Sequence, residues 1–205
     1  MTNLFSYDGV VYKSGTKLFQ LLVLNVLYLI TCLPLLTIGA ANTALACATM
    51  KMIEGKEGNV AVDYLRSFKS NFKMATYFNL IFGVINALIL LNYLFAGTVT
   101  PLLRGLVYAA LGLAGIISII GMTFIYPYIA RFDDDMLTTT KNTGLLILKH
   151  GRLSFLILMI AVIPVVVACL SPLLMVFAIY ISAFIGFSLT TYLRSLLLLS
   201  IYRQY

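Results

Sequence analysis

Long uncharged runs alternate with short charged ones along this chain. Leu18–Met50 is 33 residues without a formal charge, bracketed by Lys17 and Lys51. At about 1.5 Å per residue one helix of that length would be roughly 50 Å long, against a hydrocarbon core about 30 Å thick. Pro34 and Gly39 sit where the run has to fold back, since proline removes a backbone donor and clashes with the preceding turn. The pattern therefore predicts a hairpin of two spans, 14–35 and 38–53, turning at 36–39. Further uncharged runs predict spans at 74–95 and 105–130. The run Leu153–Leu193, divided by Ser171-Pro172, predicts two more at 153–170 and 173–201.

Two polar stretches separate these spans. In the first, Gly55 and Gly58 close a helix and Asn59 caps the next. Ala61, Leu65, Phe68 and Phe72 then share one predicted helical face, opposite Asp63, Arg66, Lys69 and Lys73. This reads as an amphipathic interfacial helix over 59–73. In the second stretch Asp133, Asp134 and Asp135 precede, and Lys149, His150 and Arg152 follow, a second interfacial helix at 136–149, with charges that complement its dipole. Phe5, Tyr7 and Tyr12 suit an interface as well. The expected architecture is all-α: one polytopic membrane helix bundle, 1–205, with six transmembrane helices and two cytoplasmic interfacial helices.

Composition agrees with this class. Of 205 residues 61% are hydrophobic and 10% charged, against about 25% charged in soluble domains. With the N-terminus in the cytoplasm, 13 of the 14 Lys and Arg residues fall on the inner side and only Arg104 outside; five spans would move Lys13 and Lys17 outward. The net charge of +7 is thus a topology signal, and nucleic acid is not an expected partner. Cys32, Cys47 and Cys169 lie in apolar runs with no metal-ligand spacing and read as small buried apolar side chains. No phosphate-binding loop or zinc-protease motif occurs, no metal or other cofactor is expected, and the protein is expected to be no enzyme.

The candidate functional residues are few. Gly39, Ala40, Ala44 and Ala48 form a small-residue stripe suited to close helix packing. Asn25, Asn42 and Asn86 are polar groups inside spans, which are either interhelical staples or the lining of a path for a neutral solute. Arg66, Lys69, Lys73, Phe68 and Phe72 could touch a partner ATPase or anionic membrane lipid. Arg194, inside the last span, is expected to snorkel to the headgroups. A lipid enzyme would need Asp133–Asp135 with His150. Span, amphipathic helix, span occurs at Ile38–Phe95 and again at Gly105–Leu170, a faint parallel repeat.

One further reading comes from resemblance. Asn25, the run Leu33-Pro34-Leu35-Leu36-Thr37-Ile38-Gly39-Ala40-Ala41-Asn42-Thr43-Ala44-Leu45, and Gly55 and Gly58 carry it. So do the run from Tyr64 to Lys73 and Tyr126-Pro127-Tyr128-Ile129-Ala130-Arg131-Phe132. These resemble the YesL-like family of bacterial integral membrane proteins of unknown function, densely over 18–80 and by pattern elsewhere. The resemblance implies a multi-pass protein of the bacterial cell membrane, typically encoded beside ABC importers and enzymes for complex carbohydrates. It implies an accessory or regulatory role in sugar uptake, with the importer's permease and ATPase subunits as partners. The chain lacks the cytoplasmic coupling motif of an importer permease, so it is not expected to be the translocating subunit. The alternative from the residues is a small channel or transporter for a neutral solute.

Overall fold

The computed structural model describes residues 10–56, 58–98 and 100–204. Phe5 and Tyr7, expected at the interface, lie outside the described residues, as does the side chain of Tyr12. Among the described residues the fold is all-α, and six helices are long and apolar enough to cross a membrane. The chain is a membrane protein.

Local chemistry sets the breaks. α1 (Val10–Cys32) stops before Pro34, whose φ of −76° and ψ of 120° are extended. A single tight turn, Leu35–Thr37, follows, so the reversal falls a few residues earlier than 36–39. There the Thr37 hydroxyl donates to the Thr31 carbonyl at 2.5 Å and to that of Pro34 at 2.7 Å. α2 (Ile38–Glu54) ends at Gly55, which takes the left-handed conformation (φ 66°) that glycine tolerates best. α3 (Val60–Ser70) starts on Asn59, whose side-chain oxygen accepts from the Ala61 and Val62 N–H groups. α4 (Phe72–Phe95) follows after one residue.

α5 (Pro101–Ile129) opens with proline at its first position, where no donor is lost. Arg104 therefore lies within the helix, and its guanidinium reaches back to the Gly97 carbonyl at 2.8 Å. α6 (Met136–Lys149) is capped by Asp135, α7 (Gly151–Cys169) begins directly after it, and α8 (Pro172–Ile181) is capped by Ser171. Residues Ser182–Gly186 then widen into a π-type turn before α9 (Phe187–Tyr202).

The core gathers around α2. Of its apolar stretch 61% is buried, against 6–22% in the five other spans. α1, α3, α4, α5 and α9 all pack on it. At 17 residues it is roughly 25 Å long, shorter than a full span. The outer parts of the α4–α5 and α7–α8 hairpins carry exposed leucine, isoleucine and valine, with Leu94 at 68% and Ile117 at 69%. Such surface suits acyl chains. Cys169, expected to be buried, is exposed there; Cys32 and Cys47 are half-buried.

Candidate functional site

The small-residue stripe lies at the centre of the packing. Ala40, Ala44 and Ala48 are buried, and a side chain at Gly39 would collide with the Ala75 carbonyl, Asn79 Cβ and the Tyr126 ring. Because α2 is so thin, α3 turns back along it through the short connection after Gly55. Val60, Tyr64 and half-buried Phe68 pack with Ala41, Ala44, Leu45 and Ala48, and with Leu24 and Tyr28 of α1.

The buried face of α3 differs from the expected one. Val60, Asp63, Tyr64 and Ser67 point inward, while Leu65 (44%) and Phe72 (37%) are exposed. Asp63, expected on the polar side, faces α2 because Lys51 meets it: the ammonium lies 2.7 Å from Oδ1, and the Gly58 N–H reaches Oδ2 at 3.3 Å. The Lys51 hydrogen bond holds the Asp63 carboxyl below the usual carboxylate range. Tyr64 shares a 2.5 Å hydrogen bond with Thr31, and burial pushes its phenol upward. Phe68 stacks on Tyr64 and meets Phe72 edge-on, with ring centroids 6.4 and 5.6 Å away. Arg66, Lys69 and Lys73 are exposed.

Each intramembrane asparagine is bonded inside the protein. Asn25 donates to the Ser182 and Ala183 carbonyls at 3.0 and 2.8 Å and accepts from the Ser188 N–H at 3.1 Å. It thereby satisfies backbone groups that the π-type turn releases, which lipid could not. Asn42 accepts from the Tyr28 hydroxyl at 3.3 Å and donates to the Ile38 carbonyl at 3.0 Å. Asn86 donates to the Phe82 carbonyl at 2.7 Å and the Ser118 hydroxyl at 2.9 Å. Asn79 does for the Pro34 turn what Asn25 does for the last helix, reaching the Leu35 carbonyl at 3.0 Å. Arg194 is only partly exposed and donates to Thr191 of its own helix at 3.1 Å.

A second constellation forms where α5 meets α6. The Tyr128 hydroxyl donates to Asp134 Oδ2 at 2.6 Å, and Asn142 Nδ2 donates to both, at 3.0 Å to the phenol and 3.3 Å to the carboxylate. These three, with Phe132, Leu145, Leu146 and Lys149, line a half-open cavity of about 540 Å³. The Asp133–Asp135 run is thus divided: Asp135 caps α6, Asp134 turns into the cavity, and Asp133 is exposed. Hydrogen bonding by Thr138 holds Asp135 below the usual range. No cluster of metal-ligating side chains occurs among the described residues. Asp134, Lys149, Tyr128 and Phe132 were each singled out in the sequence but not as one group, and Asn142 was missed; its place on a helix face eight residues after Asp134 was the available signal.

A protein-family model described as "Protein of unknown function, DUF624" matches residues 21–93. Over that stretch, which runs from α1 to the end of α4, the chain is similar to that family. No curated protein and no solved structure matches it.

Proposed function

We propose that the chain is a non-enzymatic accessory subunit of the YesL-like type, resident in the bacterial plasma membrane and associated with the permease and ATPase subunits of an ABC importer for carbohydrates. In this reading both termini, α3 and α6 are cytoplasmic, as the distribution of Lys and Arg favours. The supporting observation is the outer face of α3. That helix lies outside the candidate spans, yet Val62 (49%) and Leu65 (44%) stand exposed beside Arg66 and Lys69. Apolar side chains ringed by bases fit a partner with an apolar centre and an acidic rim.

The test is co-purification of the tagged chain from its native membranes in mild detergent. Importer permease and ATPase subunits are expected with the wild type and are expected to be lost with the double variant Arg66→Glu/Lys69→Glu. Recovery of the wild-type chain with neither subunit counts decisively against the proposal.

A further inference from the structure

We propose that the cavity between the end of α5 and α6 binds the headgroup of an amine-bearing phospholipid. Its volume, about 540 Å³, lies within the range of small-ligand pockets. Its depth is set by its walls. Tyr128 belongs to the last turn of a candidate span, whereas α6 lies outside the spans, so the cavity opens where headgroups lie.

The walls carry complementary chemistry. Tyr128 and Asn142 both bond Oδ2 of Asp134, which fixes the carboxylate and leaves Oδ1 without a hydrogen bond or ion pair among the described residues. Phe132 and Tyr128 lie 4.7 Å apart beside it, with Tyr202 edge-on to both. A carboxylate backed by aromatic rings attracts an ammonium group. Lys149 lines the same cavity. Leu145 (56%) and Leu148 (81%) are exposed next to it, giving the acyl chains an apolar route to the bilayer. A phospholipid without an amine would set its own negative charge against Asp134.

Delipidated protein is to be loaded in mixed micelles with phosphatidylethanolamine or phosphatidylglycerol, and retained lipid counted by native mass spectrometry. The wild type is expected to retain the ethanolamine lipid about tenfold better, and Asp134→Asn to lose that preference while keeping its helical circular dichroism. Soluble phosphoethanolamine separates the headgroup from the whole lipid. If it alone raises the melting temperature, the headgroup suffices; if it does not, the acyl chains are required; Asp134→Asn removes whichever response the wild type shows. Equal retention of both lipids, or a preference that survives Asp134→Asn, overturns the proposal.

Discussion

α3 and α6 occupy matching places in the chain, each between a long apolar helix and the next, and each opens on a capping side chain, Asn59 or Asp135. Their packing differs. α3 meets a helix made thin by alanines, and Tyr64 is wholly buried against it. α6 meets the aromatic end of α5, where Tyr128 and Phe132 hold it off and leave a cavity. The polar groups differ in the same sense. Those of α3 are satisfied, Asp63 by Lys51 and Gly58 and Tyr64 by Thr31. On α6 the buried hydroxyls of Thr139 and Thr143 have no hydrogen-bond partner among the described residues. Side-chain volume on the preceding helix therefore decides whether the returning helix seals or leaves room for something else.

The most direct way to break this contrast is to thicken α2. Ala44 is fully buried where α1, α2 and α3 meet, so Ala44→Leu inserts three carbons into filled space. The expected cost is about 2–3 kcal/mol, read as a melting temperature lower by roughly 5–10 °C in detergent. Retention of lipid at the α6 cavity should be unaffected below the new transition. An unchanged melting temperature would show that α3 does not depend on close approach to α2.

A smaller effect tests the polar seal. Asp63 has its folded-state pKa lowered by Lys51, so its contribution is present above the unfolded value of about 3.9 and is lost as pH falls through the folded one. Between pH 6 and pH 3 the wild type should lose more thermal stability than Asp63→Asn, whose stability lacks this dependence. Lys51 is about a third exposed, which keeps the difference modest. Parallel pH profiles for the two proteins would remove the ion pair from the account of α3.

What the residues disclosed in advance follows the range of the interactions. Pro34, Gly55, Asn59 and Asp135 act on neighbours within a few positions, so the breaks and caps were legible. The face of α3 was not, because two stripes of that helix are each partly apolar, and Lys51, twelve residues from Asp63, decides between them. The partners of Asn25 lie 157 to 163 residues away, so its role in holding the π-type turn depends on α1 meeting α9. The cavity depends likewise on how the end of α5 meets α6, which no local pattern encodes. Arg194 was expected to reach the headgroups; the packing of α9 beside α1 and α2 depends on long-range contacts that its own stretch of sequence does not encode.

The smallest effect has an informative sign. Thr139 is wholly buried, and its hydroxyl has no partner among the described residues, unlike that of its neighbour Thr140, which bonds the Met136 carbonyl at 2.9 Å. Valine has the same branched shape without the hydroxyl. If α6 is only loosely seated, Thr139→Val removes a desolvated polar group at no cost in volume and should stabilise the protein by up to about 1 kcal/mol, a rise of a few degrees in melting temperature. On α3, Tyr64→Phe removes a hydroxyl that is bonded and should lower the melting temperature by a similar amount. Opposite signs for the two deletions would confirm that α3 is the sealed helix and α6 the open one. A loss of stability from both would mean that the Thr139 hydroxyl is also engaged, and the contrast would rest on volume alone.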